Sequence, residues 1–144
     1  MISDRVTQMV ARLKAVNLRL TPQRLAILRI LADSEGHPSI EEIYRRMKPD
    51  FPTMSPATVY KTLTLLKALG EVLELGFPDG VNRYDGSKPY PHPHVICLKC
   101  KKIMDLEMGN LQPWIEAAAR ETGFRILQHR VDFFGLCPEC RAKE

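Results

Sequence analysis

The chain has 144 residues, a formal net charge of +4 and no apolar run long enough to span a bilayer. That length suits one ordinary domain or two small ones with a modest core, and the opening MISDRVTQMV carries charged and polar groups rather than an export signal, so the sequence predicts a soluble, cytoplasmic protein with no membrane partner. The charge hints only weakly at a polyanion: residues 1–84 hold 12 basic and 9 acidic side chains, a balance of +3, and the remainder 9 and 8, a balance of +1.

In chain order, Val6, Met9, Val10 and Leu13 keep the three-and-four spacing of a helical stripe. Thr21-Pro22 supplies a cap and a first-turn proline for a second helix, with Leu25, Leu28 and Leu31 inward. A third helix starts at Ser39, where Glu42 completes a capping box; Ile40, Ile43, Tyr44 and Met47 are its apolar side, and Pro49 and Pro52 end it. Ser55-Pro56 opens a fourth, running through Val59, Leu63, Leu66 and Leu69 to a stop at Gly70. Strand-like runs over 71–75 and 81–85 flank a Pro78-Asp79-Gly80 turn. Helix, turn, helix, hairpin is the order of a winged helix.

From Gly86 to Pro93 the composition shifts to Gly, Ser, Lys and Pro, which suits a linker. The predicted layout is α+β: a winged-helix DNA-binding domain over 1–85, a linker over 86–93, and a small α/β dimerisation and metal-binding domain over 94–144. The latter is expected to contain a hairpin through Cys97 and Cys100, a helix from about Asn110 to Thr122 with Trp114 and Ile115 inward, and a strand from Arg125 to Phe134.

The fourth helix has the two faces that a recognition helix needs, packed within and small, polar or cationic without. Lys61 and Lys67, with Lys14, Arg19 and Arg24 upstream, are candidates for phosphates, while Ala57, Thr58 and Tyr60 offer apolar surface to thymine methyls. An A·T-rich site is expected. A solvated amphipathic face explains many such helices, but here the adjoining helix-turn and hairpin favour DNA. One small module buries limited surface, so a palindromic operator and a homodimer are expected.

All four cysteines fall in C-x-x-C pairs, Cys97 with Cys100 and Cys137 with Cys140. Four thiolates in two knuckles give Zn(II) a closed tetrahedral shell, the signature of a structural site. A thiol redox pair would call for a C-x-x-C opening a helix in a βαβ unit, which neither shows.

The stretch YPHPHVICLKCKKIMD also holds histidines and an aspartate. If Cys97 to Cys100 is the hairpin turn, residues whose numbers sum to 199 oppose each other, so His94 faces Asp105 and Ile96 faces Ile103. His92 shares the face of His94 in an extended segment. Imidazole and carboxylate suit Fe(II), Mn(II), Co(II) or Zn(II), and the shell needs further ligands; His37 and Asp85 are candidates, each with an ordinary explanation as a loop or turn residue.

With LRLTPQRLAIL, SPATVYKTL, NRYD, HPHVICLKC followed by IMDLE, and the final CPEC, essentially the whole chain resembles the ferric uptake regulator family of bacterial metal-dependent repressors, and within it the peroxide-stress branch. The resemblance implies a homodimeric winged-helix repressor with structural zinc on Cys97, Cys100, Cys137 and Cys140. It implies regulatory Fe(II) or Mn(II) on His37, Asp85, His92, His94 and Asp105, with His37 and His92 sensitive to oxidation. The peroxide branch has aspartate as the last ligand where iron regulators usually have glutamate, and Tyr60 matches a tyrosine that meets bases. A further metal site of many relatives would fall on Pro91, Pro93, Gln112 and His129, three of which cannot ligate in the usual way, which leaves His129 as a strand histidine near the core.

Two rivals stand beside the peroxide sensor. One is a regulator that senses iron, zinc or manganese itself. The other is a thiol oxidoreductase or metal-dependent hydrolase, against which stands the lack of a nucleophile paired with a base or a Gly-rich phosphate loop. The expectation is that the chain is not an enzyme.

Overall fold

The computed structural model describes residues 4–33, 37–77 and 80–144, which form two compact units, the first ending at Pro89 and the second spanning Tyr90–Glu144.

The first unit contains helices α1 (Asp4–Ala15), α2 (Pro22–Asp33), α3 (Ile40–Met47) and α4 (Pro56–Ala68), then strands β1 (Leu73–Leu75) and β2 (Arg83–Asp85). The strands pair antiparallel, with Leu73 opposite Asp85 and Leu75 opposite Arg83, and make the wing. Met9, Leu13, Leu28, Leu31, Ile43, Leu63 and Leu66 meet in one buried cluster that also takes in Val72 and Tyr84, so the wing is seated on the helical core. Arg5 fastens the base of the wing: its guanidinium donates to the Glu71 carbonyl and carboxylate at 2.8 and 2.7 Å and to the Gly86 carbonyl at 2.6 Å. A Cβ on Gly86 would lie 2.6 Å from Leu31 Cβ, so only glycine fits there.

Local signals act as expected at most helix ends. Thr21 Oγ1 accepts from the Arg24 N–H at 3.1 Å, and Gly70 takes a positive φ of 74° after α4. The capping box of α3 is half formed: Ser39 Oγ accepts from the Glu42 N–H, while the Glu42 carboxylate accepts from Arg83 instead. Within α2 the deepest side chains are Ile27, Leu28 and Leu31, and Leu25 is only half-buried, because the core lies on two sides of this helix. The strands are shorter than the apolar runs suggested. Pro78 and Asp79 of the expected turn lie outside the described residues, as does Gly36 before His37.

The second unit contains β3 (His94–Cys97), β4 (Ile103–Asp105), α5 (Gln112–Thr122), β5 (Asp132–Gly135) and the short α6 (Pro138–Ala142). Its sheet has the order β4-β3-β5, with β4 antiparallel and β5 parallel to the central strand. Three expectations fail here. Trp114 is 77% exposed and Ile115 only half-buried, rather than both inward, and no residue of α5 is buried. Residues 125–131 form no strand: a strand needs a ladder neighbour, and β3 is met only from Asp132 onward. His129 therefore sits half-buried on an irregular segment rather than on a strand. The sequence reading had also left α6 unmarked. Among the described residues no helix is long and apolar enough to cross a membrane.

Candidate metal centres and nucleic-acid interface

Cys97 ends β3 and Cys100 closes the turn after it, where Lys101 adopts a positive φ of 67°. Cys137 caps α6 and Cys140 lies within it, so the second C-x-x-C does open a helix, though a five-residue one outside any βαβ unit. Each pair has the same local form: the Cys100 N–H donates to Cys97 Sγ and the Cys140 N–H to Cys137 Sγ, both at 3.4 Å. The Leu98 N–H donates to the Gly135 carbonyl at 2.8 Å and draws the two turns together. The four sulfurs all lie within 4.8 Å of one another, with Cys100 and Cys137 at 3.7 Å. Zinc–sulfur bonds of about 2.3 Å give a tetrahedron with edges of about 3.8 Å, so the cluster fits zinc with little adjustment. The electrostatics agree. The Cys100 N–H lowers the Cys97 thiol to about 5, while the neighbouring Cys137 and burial raise Cys140 to about 12. Four thiolates this close need a divalent cation to ionise together.

The nitrogen and oxygen residues are built separately in each unit. In the second, His94 pairs with Asp105 and Ile96 with Ile103, the register expected from a turn at the cysteines. Asp105 Oδ1 lies 3.0 Å from His92 Nε2 and 3.4 Å from His94 Nε2, and the two imidazole centroids are 4.3 Å apart. Donors about 2.1 Å from one ion stand roughly 3.0–3.4 Å apart, so these three side chains already have the spacing of a shared coordination shell. His92 is oriented from behind by the Tyr90 carbonyl, 2.7 Å from Nδ1.

In the first unit, His37 and Asp85 are each 1% exposed, and His37 Nδ1 lies 3.7 Å from Asp85 Oδ2. Asp85 Oδ1 accepts from the Ser87 N–H, the Ser87 hydroxyl and the Lys88 N–H at 2.9–3.0 Å, which fixes the carboxylate with Oδ2 toward the histidine. His37 holds a φ of 50°, in the left-handed region that the chain also uses at Asn17 and Lys101. A buried carboxylate beside a buried imidazole is the donor pair a divalent cation takes.

On α4, Val59, Thr62, Leu63 and Leu66 face inward, while Ala57, Tyr60, Lys61 and Lys67 are exposed and Thr58 is half-buried. Lys14 and Arg19 are exposed as well, and half-buried Arg24 donates to the Arg19 carbonyl at 2.5 Å, stiffening the loop before α2. Lys67 is already engaged: its ammonium lies 2.6 Å from Glu74 on the wing, whose other oxygen accepts from Asn82 and Tyr84 at 2.8 and 2.9 Å. Burial and the bond to Glu74 raise the Tyr84 hydroxyl well above its ordinary value, so it stays a donor.

One carboxylate beside this chemistry escaped sequence reasoning. Asp132 on β5 stands opposite His94 through a parallel register, a pairing between distant segments with no local signature.

A winged helix joined to a small α/β unit that carries a four-cysteine zinc-type cluster and a histidine–carboxylate set defines a metal-dependent regulator, and the chain belongs to the ferric uptake regulator family, whose model matches residues 15–134. Among individual proteins it is similar to the peroxide-responsive repressor PerR of Staphylococcus aureus, 39% identical over 142 residues that cover 99% of this chain and 95% of that protein. Of solved structures, a zinc-bound manganese uptake regulator is 35% identical with a TM-score of 0.69, covering 90% of this chain and 98% of that one. PerR from Streptococcus pyogenes is 33% identical with a TM-score of 0.57, covering 97% and 95%.

Proposed function

We propose that this protein is a peroxide-responsive repressor that binds an A·T-rich, palindromic operator as a metal-loaded homodimer and leaves it when a ligand histidine is oxidised. The observation that carries the reading is Asp105, an aspartate rather than a glutamate, in register with His94 and 3.0 Å from His92. The similarity to peroxide-responsive repressors over nearly the full chain supports it.

In this proposal Cys97, Cys100, Cys137 and Cys140 hold structural zinc, and His37, Asp85, His92, His94 and Asp105 hold regulatory Fe(II) or Mn(II). Fe(II) held there would supply, reversibly, the electron that opens the peroxide O–O bond; overall one peroxide oxygen would be added to an imidazole carbon and the other would leave as water. His37 and His92 are the residues that take the oxygen. Because one group of ligands belongs to the DNA-binding unit and the other to the second unit, coordination restricts how the recognition helices are presented, and loss of a ligand relaxes that restriction. A swing from 1:99 to 99:1 in favour of the DNA-binding form needs about 5.5 kcal/mol of preferential binding, which one well-filled divalent site can supply. Lys14, Arg19, Arg24, Lys61 and Lys67 serve as phosphate contacts, and Ala57, Thr58 and Tyr60 face the bases. Trp114, Phe124, Leu127 and Phe134 are each exposed and are the apolar side chains that a second copy would cover.

Mass measurement of the peptides containing His37 and His92 tests the sensor. After dilute peroxide, a gain of one oxygen is expected in iron-loaded protein and none in manganese-loaded protein. No addition in either would favour a regulator that reads metal abundance itself, the reading to which the likeness to a manganese uptake regulator points.

A further inference from the structure

His94 sits on the central strand of the second unit's sheet, with Asp105 of β4 opposite it on one side and Asp132 of β5 opposite it on the other. Its Nε2 lies 3.4 Å from Asp105 and its Nδ1 lies 3.6 Å from Asp132 Oδ1, so each ring nitrogen meets a different carboxylate. His94 is 1% exposed and the Asp132 side chain 11%. The Arg130 guanidinium takes the other Asp132 oxygen, Oδ2, through Nε.

We infer that Asp132 is the positioning residue of the regulatory site, holding the His94 proton on Nδ1 so that Nε2 presents its lone pair to the metal, with Arg130 fixing the carboxylate that does so. A neutral imidazole carries one proton on either nitrogen, and only the nitrogen without it can coordinate. A carboxylate can only accept, so Asp132 favours the Nδ1–H tautomer, against the pull of Asp105, which faces Nε2 and whose Oδ1 is also 3.0 Å from His92 Nε2. At 3.6 Å the two atoms stand slightly beyond hydrogen-bond distance, so Asp132 acts on the Nδ1–H mainly through its charge. Arg130 also keeps Asp132 from swinging away to serve as a ligand itself. Such outer partners orient a ligand before the ion arrives, and losing one typically weakens metal affinity by about 10- to 100-fold. The register that places Asp132 here is set by the parallel pairing of β3 with β5, so the sheet itself aligns donor, ring and support.

The inference rests on the ligand assignment proposed above, and the test separates the two. Full-length, zinc-loaded protein is titrated with Mn(II), and the His94 tautomer is read without Mn(II) from long-range nitrogen–proton NMR correlations in mildly alkaline buffer. Because Asp105 faces the other nitrogen, the readout is the tautomer ratio, in which wild type should favour Nδ1–H. An amide lacks the charge and can turn its NH2 toward the ring, so Asp132→Asn should shift the ratio toward Nε2–H and weaken Mn(II) by about ten-fold; Asp132→Leu should weaken it further, toward about 100-fold. If Asp132→Asn keeps the wild-type tautomer ratio, or keeps wild-type Mn(II) affinity, the inference is overturned, since a purely structural role would alter stability without moving the proton. Asp132→Asn is nearly isosteric and decides the matter even if the leucine variant does not fold. Asp105→Ala is the control for the assignment: wild-type Mn(II) binding in that variant would overturn the regulatory site, whereas loss of binding there with Asp132→Asn unaffected would overturn only the role of Asp132.

Discussion

In the first unit, residues from four helices and the wing close around a common apolar centre where Met9, Ile27, Leu28, Leu31, Ile43 and Leu66 have no exposed surface. In the second, the buried apolar positions are Ile96, Ile103 and two of the zinc-type cysteines, while Trp114 is 77% and Leu127 80% exposed. The difference shows two ways of stabilising a small fold. The first unit has its own hydrophobic core, whereas the second has a four-cysteine cluster that fits zinc and leaves its aromatic residues exposed. The sulfur cluster lies wholly within the second unit, where the histidine–carboxylate group of His92, His94 and Asp105 also lies, while His37 and Asp85 meet in the first.

The strongest way to break this comparison is to remove the cysteine cluster. Structural zinc in small domains contributes about 10–16 kcal/mol of binding free energy, so Cys137→Ser or exhaustive chelation should unfold the second unit and leave the helices of the first intact. Limited proteolysis with mass analysis checks this; simultaneous loss of both units would contradict it. Next in size is the hydrophobic core. Leu28→Ala should destabilise the first unit by about 2–5 kcal/mol in denaturant titration and leave zinc content unchanged. A smaller effect belongs to the cap of α3, where Ser39→Ala should cost about 1 kcal/mol by the same measurement.

The smallest effect is a pH dependence confined to the wing. Burial raises Glu74, but its bonds from Lys67, Asn82 and Tyr84 outweigh this and hold the carboxyl below its ordinary 4.5. A lowered folded-state value means that the stabilisation is complete above 4.5 and is lost as the pH falls through the lowered value. Amide exchange in β1 and β2 should therefore quicken below that point in the wild type, and Glu74→Gln should flatten the response.

The first unit was legible in sequence because its information is local. Helical periodicity, Thr21, Ser39, the prolines and Gly70 mark elements that the structure places within a few residues. The hairpin register was legible too, because Cys97 and Cys100 fix the turn and place His94 against Asp105. What escaped reading depends on distant partners. The strand expected from Arg125 is four residues long because its paired register with β3 begins at Asp132, and Trp114 has the spacing of a core residue because local sequence does not distinguish a packed apolar helix position from an exposed one. The His94–Asp132 approach was hidden for the same reason.

The central claim is that metal on the histidine–carboxylate set controls DNA binding and that peroxide ends that control through iron. The direct test is operator binding by zinc-loaded protein, measured with Fe(II) and separately with Mn(II), before and after brief exposure to dilute peroxide. The account predicts tight binding with either metal, loss after peroxide for the iron form, and persistence for the manganese form. Binding that ignores the metal, or an iron form that survives peroxide as well as the manganese form does, would contradict it.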